Sequence, residues 1–383
     1  MKLLAVTSRF PERSKRGDQS RAFGFLTFLS TRHEVTVVSA GAPSSESALK
    51  ALAASCTVVV PRSGLIARAA SAVGALLRGQ PAQAGWMMPS SAWRDARRRS
   101  DAFDVVLINT VRSLRGPLSR PMVVDYIDAL SWNMRVRARG PEALPIRWVA
   151  SLEARRLEDW ERDVARWASG GIATTQEVAE TLPIESKAAI IPVALQSDVV
   201  DTVDGPRDID LILTGDMRYP PNREAAGLLA REIMPSIRRR LPSTSCWIVG
   251  RHARDLGLEG VELRSDVSDV GVFLRRAKLA VAPVRGRGSL YKVLEAAANG
   301  AAVVAPTWAL EAYGLKGTPA TDAGSFAEAA VRLLTHPGER QLCAADALEV
   351  ARLHSLTILG PRYDAVLTAA HEGRDEVGPA KFQ

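Results

Sequence analysis

Residues 285–306, RGRGSLYKVLEAAANGAAVVAP, follow the apolar run LAVAPV (279–284) and end in a second apolar run, AAVVAP (301–306). The pattern predicts a strand, a turn Arg285-Gly286-Arg287-Gly288, a helix starting at Ser289, and a strand directly after Gly300 as C-cap. Glycine lets a backbone approach a ligand closely. The start of a helix offers free N–H groups and a partial positive charge to an anion. Gly288, Lys292 and Glu295 are spaced four and three apart and share one helix face. Leu290, Val293, Leu294 and Ala297 form the opposite, core-facing stripe. One face thus carries a phosphate cradle, then a cation, then a carboxylate one turn deeper. A carboxylate can accept from two hydroxyls, as a ribose diol requires. That chemistry is a nucleoside diphosphate lying across a helix start. A salt-bridged surface helix after a structural glycine turn has the same spacing, and spacing alone does not separate the two.

Such a helix needs a parallel sheet to hold it, and the chain supplies two sets of strands. KLLAVTS, EVTVVSA, CTVVVP, DVVLINT (104–110), MVVDYID (122–128) and GGIATT (170–175) are short β-branched runs separated by helical stretches. The pattern restarts at IDLILTG (209–215), followed by the helix NREAAGLLAREIMPSIRRRLP and the runs TSCWIVG (244–250), VELRS (261–265), LAVAPV and AAVVAP. Continuous apolar strands alternating with helices indicate parallel sheets covered on both faces. The segment 194–208 has little regular pattern and reads as a linker. The expectation is an α/β protein of two doubly wound, Rossmann-like domains in tandem across a cleft, with ligands outside the carboxyl ends of the strands.

Bulk properties bound the partners. A chain of 383 residues with 46% hydrophobic residues is globular and long enough for two cores. The N-terminus MKLLAVTSRF reads as a first strand rather than a signal peptide. Apolar stretches such as LIARAASAVGALL (65–77) fall short of a membrane span. The three cysteines, Cys56, Cys246 and Cys343, are widely spaced, which argues against disulfides or zinc and fits a reducing cytoplasm. Residues 1–200 hold 27 Lys and Arg against 19 Asp and Glu, and residues 201–383 hold 23 of each, so the whole formal excess of +8 lies in the first 200 residues. That field favours anionic partners: phosphates, acidic polysaccharide, nucleic acid or an acidic membrane face. No aromatic–basic module or zinc pattern supports nucleic acid. LIARAASAVGALLR (65–78) with Trp86, Trp93 and Arg94–Arg99 would suit an acidic membrane face; a helix packed on the first sheet beside a solvated arginine loop is the plainer reading. In RWVASLEARRLEDWERDVARW the stripe Trp148, Leu152, Leu157, Trp160 and Val164 reads as core.

The chain resembles the retaining group 1 glycosyltransferases of GT-B fold, most of all the sugar-transferase branch associated with PEP-CTERM and exopolysaccharide clusters. The resemblance rests on SRFPERSKRGDQSRAFGFLTFLSTRHEVTVVS (8–39), VVDYIDALS (123–131), RWVASLEARRLEDWERDVAR (147–166), LTGDMRYPPNREA (213–225), CWIVGR (246–251) and YKVLEAAANGAAVVAP, in family order over nearly the whole chain. It implies an N-terminal acceptor-side domain over 1–195 and a nucleotide-sugar-binding domain over 205–355. Residues 356–383 would form a helix packing back on the first domain, and a tail. It implies that Glu295 binds the donor ribose and that Arg287, Gly288, Ser289 and Leu290 contact the diphosphate and sugar. Arg16, Gly17 and Asp18 would approach the phosphates and sugar from the first domain. Asp128 stands at the Asp of the family's His-Asp pair, and Arg21 would pair with a phosphate or the acceptor. The chain departs from the pattern in four places. Arg287 replaces a Glu, Ile127 replaces the histidine, IPVA (191–194) replaces IPNG, and GDMRYPPN lacks the phosphate-binding Arg/Lys pair. Gly215, Arg218, Arg285 and Lys292 then become the candidates for the phosphates, with Asp216 and Asn222 near the expected positions.

The implied activity is transfer of a hexose, with retention, from a UDP-, GDP- or dTDP-sugar to a hydroxyl of a glycan, lipid-linked or secondary-metabolite acceptor. The nucleotide sugar is a substrate, so no cofactor is implied and no metal. The one acidic DxD-like stretch, DID (208–210), begins a buried strand. The expected location is the cytoplasm, with a peripheral contact at the inner face of the membrane. A non-catalytic GT-B-like partner protein and a nucleotide-sugar epimerase of the same fold are the alternatives. The missing Glu and Arg/Lys pair favour the first, and Ile127 in place of His weighs against the second.

Overall fold

The computed structural model describes residues 1–13, 17–139, 143–182, 188–195, 199–202, 206–267, 269–285 and 290–373. The chain divides into two units, residues 1–196 with 356–383, and residues 197–355.

The first unit is built on seven strands: β1 (Lys2–Thr7), β2 (Glu34–Ser39), β3 (Thr57–Val59), β4 (Val105–Asn109), β5 (Met122–Ile127), β6 (Gly170–Ala173) and β7 (Ala188–Ile190). All pair in parallel in the order β3-β2-β1-β4-β5-β6-β7. β1, β4 and β5 are buried along almost their whole length because both faces are covered. One face packs against the helices Gly17–Ser30 and Leu356–His371, with Phe25 stacked on Tyr363 at 4.1 Å between centroids. The other packs against the helices Ser90–Ser100 and Leu144–Trp167. Residues 356–371 therefore belong to the first unit's core although they follow the second unit in the chain. Leu359, Tyr363, Val366 and Leu367 are buried there, and a Cβ on Gly360 would stand 2.6 Å from the Phe28 ring.

The second unit has six strands: β8 (Ile209–Thr214), β9 (Cys246–Val249), β10 (Glu262–Arg264), β11 (Ala277–Val281), β12 (Ala302–Ala305) and β13 (Thr318–Pro319). They run parallel in the order β10-β9-β8-β11-β12-β13. The single helix expected after β8 is divided into Pro220–Leu228, a π-turn Leu229–Ile233 and Met234–Arg238. Pro235 explains the division. It has no N–H to donate and its ring crowds the carbonyl four residues back, which a widened turn accommodates. Arg207, which the sequence places in the linker, is part of this unit. Its guanidinium donates to the carbonyls of Leu274, Ala277 and Asn299.

Candidate active site

In the second unit the strand order reverses between β8 and β11, so the carboxyl ends of these two strands flank the topological switch point. Three pieces of chain converge there. Gly215, directly after β8, has φ +149°, and a Cβ on it would stand 2.7 Å from Asn222 Nδ2 and 3.1 Å from Lys292 Nζ. Gly250, directly after β9, has φ +143°, and a Cβ there would stand 2.0 Å from the carbonyl oxygen of Gly215. Gly250→Ala is expected to melt the second unit earlier than Gly215→Ala. Both positions disfavour L side chains, a penalty above about 1 kcal/mol. Only the first clashes with rigid backbone, whereas the second meets side-chain ends that can move. Thermal melts of the two variants measure the difference.

The helix Tyr291–Ala298 carries the expected residues as predicted from their spacing. Val293, Leu294 and Ala297 are buried and Leu290 packs on the same core, while Lys292 and Glu295 lie on the other side, half-buried. Gly300, at φ +72°, ends the helix, its N–H donating to Ala297 O (2.9 Å) while Ala301 N–H donates to Ala296 O (3.1 Å). The predicted start at Ser289 lies outside the described residues, as do Arg287 and Gly288; the described helix begins at Tyr291.

Lys292 Nζ donates to Asn222 Oδ1 at 2.7 Å, and Asn222 Nδ2 donates to the carbonyl of Asp216 at 3.0 Å. Burial pushes Lys292 down to about 8, opposed by the nearby Glu295 carboxylate. Burial pushes Glu295 up to about 7, helped by Asp269 and opposed by Lys292. Among the described residues no hydrogen bond reaches the Glu295 carboxylate. Asp216 is partly desolvated, which raises its pKa, but hydrogen bonds from Arg218 and the charge of Arg251 outweigh that and hold it below the usual range. Arg218 Nη2 and Arg251 Nε each lie 3.2 Å from Asp216 Oδ2. Arg218 thus stands at the site, mostly exposed, and Arg285 is exposed at the end of its described segment. Arg251, Gly250 and Asn222 complete the cluster. Sequence reading left Arg251 out, although a Gly-Arg pair directly after a strand is its visible signal.

In the first unit the switch point lies between β1 and β4. The loop after β1 leads to Gly17 and Asp18, the first residues of the helix Gly17–Ser30, and Arg9 pairs with Asp18. A Cβ on Gly17 would meet nothing within 4 Å, so packing within the chain does not demand a glycine there. Arg16 lies outside the described residues. Asp128 follows β5 and its side chain is exposed. Partial desolvation raises its pKa, as does Asp18, while Arg112 and Arg21 oppose the rise. The turn that presents it is strained. Ile127 has φ +63°, and Asp128 N–H donates back to Tyr126 O at 2.7 Å, a three-residue turn with a β-branched residue at its centre. Thr110, at the end of neighbouring β4, also has positive φ, 66°. Such backbone costs on the order of 1–3 kcal/mol per residue and concentrates at functional sites.

Arg21 corrects the sequence reading. It is neither a surface side chain nor free to reach an acceptor: it is 1% exposed. Its Nε donates to Asp125 Oδ2 at 2.8 Å and its Nη1 to Pro192 O at 2.7 Å. Tyr363 Oη donates to the same Asp125 oxygen at 2.9 Å. Two further expectations change. Trp93 lies in the core beneath the helix Ser90–Ser100, whereas Trp86, Arg94 and Arg97–Arg99 of that region face solvent, as do Leu65, Ile66, Val73 and Leu77 of the preceding helical stretch. Of the stripe on the helix Leu144–Trp167, Leu157, Trp160 and Val164 are core, whereas Trp148 and Leu152 are exposed.

No match is found among curated proteins. Among solved structures, Anabaena HepE in complex with UDP aligns with 96% of this chain and 100% of its own, at 14% identity and a TM-score of 0.65. WaaG, a glycosyltransferase involved in lipopolysaccharide biosynthesis, aligns over 96% and 100% at 16% identity and TM-score 0.63. Sucrose-phosphate synthase from Thermosynechococcus elongatus aligns over 96% and 98% at 13% identity and TM-score 0.64. The chain therefore has the two-sheet α/β architecture of the GT-B fold, and residues 208–336, which hold the Gly215–Lys292–Glu295 cluster, match the family described as glycosyl transferases group 1.

Proposed function

We propose that the protein is a retaining glycosyltransferase that uses a nucleoside diphosphate sugar as donor and a hydroxyl of a glycan, lipid-linked or secondary-metabolite molecule as acceptor. The observation that carries this reading is the convergence of Gly215, Asn222, Lys292 and Glu295 at the β8/β11 switch point. The cations there and the N–H groups at the start of the helix would take the diphosphate, and the Glu295 carboxylate, which accepts no hydrogen bond among the described residues, the ribose diol. The match of residues 208–336 and the UDP bound by HepE support it.

In the proposed reaction the acceptor oxygen attacks the anomeric carbon on the face from which the diphosphate departs. The new C–O bond forms as the bond to the phosphate oxygen breaks, and the acceptor proton passes to that oxygen. The protein holds the two substrates together and stabilises charge on the leaving group. Lys292, Arg218 and Arg285 would do the second, together with Arg287, Gly288 and Ser289. Gly17, Asp18 and Asp128 would face the sugar and acceptor. The chain's own cations neutralise the diphosphate, so the scheme assigns no step to a metal.

The test is calorimetric titration with UDP, GDP and dTDP, then incubation with the matching sugar nucleotides with and without acceptor. Binding with slow sugar release, accelerated by acceptor, is expected. Binding with no turnover on any donor would instead favour a non-catalytic partner protein. The pH dependence follows from the site. Glu295 accepts hydroxyl hydrogen bonds best as a carboxylate, so affinity rises with pH through about 7. Lys292 holds phosphate only while protonated, so affinity falls above about 8. Titrations across that window should give a maximum between the two values, and a flat profile would remove both residues from the contact.

A further inference from the structure

In the first unit the helices Leu130–Arg139 and Leu144–Trp167 pack along each other as an antiparallel hairpin, tied where Arg147 Nε donates to Ala138 O at 2.9 Å. The inner face of the longer helix is small or apolar, with Ala150, Ala154 and Leu157 buried. Its outer face is apolar as well. Leu144, Trp148 and Leu152 recur every four residues on one stripe, with Leu144 75% and Trp148 69% exposed, and Val149 stands beside them at 58%. On the partner helix Trp132 and Val136 repeat the same spacing and are also exposed. A soluble surface scatters such side chains singly; here they are gathered on the outer face of these two helices, as they also are on the helix Leu65–Leu76.

The charge around them is one-sided. Residues 130–157 contain six arginines and two glutamates, a net of +4 by formal charge. One of the two acids, Glu153, is engaged, its carboxylate accepting the N–H groups of Ala82 (3.1 Å) and Gln83 (2.9 Å) at the start of another helix. Arg137, Arg139 and Arg155 are exposed on the same two helices. We propose that the outer face of this helix pair is a docking surface for an anionic lipid bilayer. Tryptophan and aliphatic side chains would enter the interface while the arginines meet headgroup phosphates. No described helix is long and apolar enough to cross a membrane, so the contact is peripheral. A second copy of the chain fits the surface less well, because a twofold contact would set these arginines against each other. A nucleic acid would leave the apolar stripe unused. The surface is separate in sequence from the 62–100 region, where Leu65, Ile66, Val73, Leu77 and Trp86 are exposed and Trp93 is buried, and it does not depend on the proposed chemistry.

The experiment is co-sedimentation of the full chain with vesicles of phosphatidylcholine alone and of phosphatidylcholine mixed with phosphatidylglycerol, at low and high salt. The wild type should pellet with the anionic vesicles only, and less so at high salt. Leu144→Ser with Trp148→Ser should weaken partitioning about tenfold or more, since two large apolar side chains no longer enter the interface. Arg139→Ser with Arg155→Ser should weaken it and flatten the salt dependence. Both double variants should melt where the wild type does, because the altered side chains point outward. Three results overturn the proposal: wild-type protein left in the supernatant with anionic vesicles at low salt; a Leu144/Trp148 variant that pellets like the wild type; or a concentration-dependent dimer, lost in that variant, with no vesicle binding.

Discussion

Glu295→Ala should reduce affinity for a nucleoside diphosphate at least tenfold while leaving the protein folded. The carboxylate sits on the helix Tyr291–Ala298 at the switch point, with burial holding it up at about 7 and, among the described residues, no hydrogen bond to it. A half-buried acceptor that the described residues leave unbonded is suited to donors that arrive with a ligand. Hydrogen bonds to a charged group contribute about 1.5–3 kcal/mol each, and about 1.4 kcal/mol is tenfold in affinity. Losing one contact meets the bound and losing two exceeds it. The conservative change adds a second readout. The folded pKa of Glu295 is raised, so it favours folding fully below the unfolded value of 4.5, and that contribution is lost as pH rises through about 7. Glu295→Gln cannot ionise and should melt higher than the wild type above pH 7, yet bind nucleotide less well. Unchanged titrations of the alanine variant with UDP, GDP and dTDP would remove the ribose assignment. A glutamine variant that loses both binding and stability would show the carboxylate to be structural.

Asp125→Ala should be the most damaging single substitution in the first unit. Arg21 and Asp125 are both buried, and the carboxylate holds the guanidinium and the Tyr363 hydroxyl together. Removing one partner of a buried pair leaves an uncompensated charge and costs about 3–5 kcal/mol. At about 2–4 °C per kcal/mol for a unit of this size, the melting temperature should fall by roughly 10 °C. Tyr363→Phe deletes one hydrogen bond to a charged acceptor and should cost about 1.5–3 kcal/mol. The joint change Arg21→Met with Asp125→Leu removes both charges at once and should recover much of the loss, because apolar replacement of a buried pair is often neutral. Calorimetric melts of the four proteins check the order. A joint variant no better than Asp125→Ala would mean that the geometry of the pair, rather than its charge, holds the helices on the sheet. The two helices of the contact, Gly17–Ser30 and Leu356–His371, are far apart in the chain, so the loss should also loosen the helix start that carries Gly17 and Asp18.

Much of the architecture was legible in residue order. Strands β1 to β6 and β8 to β12 were visible as apolar or β-branched runs, since a strand covered on both faces shows no alternation to disguise it. β7 and β13, the edge strands AAI and TP, were not, because so few residues leave no periodicity to read. The helix bearing Lys292 and Glu295 was legible for a related reason. Its apolar stripe and its C-terminal glycine are local signals, and the polar residues share a face by spacing alone.

What sequence could not decide was which polar side chains become neighbours, or which face water. Arg21 and Arg251 are both arginines beside a motif. The first is driven into the core by an aspartate 104 residues away, and the second is brought to Asp216 by the parallel pairing of β8 and β9. Trp93 and Trp148 both lie on amphipathic helices, yet one is buried and the other exposed. Periodicity identifies a stripe but not whether the fold supplies a surface to cover it. The sequence by itself determined the parallel α/β strands, the helix that ends in Gly300, and the common face of Lys292 and Glu295, because these depend on neighbours within a few residues. Only the tertiary structure decided the partners of Arg21, the close approach of Gly215 to Gly250, and the uncovered outer face of the helices Leu130–Arg139 and Leu144–Trp167, because each depends on segments that meet in space and not in sequence.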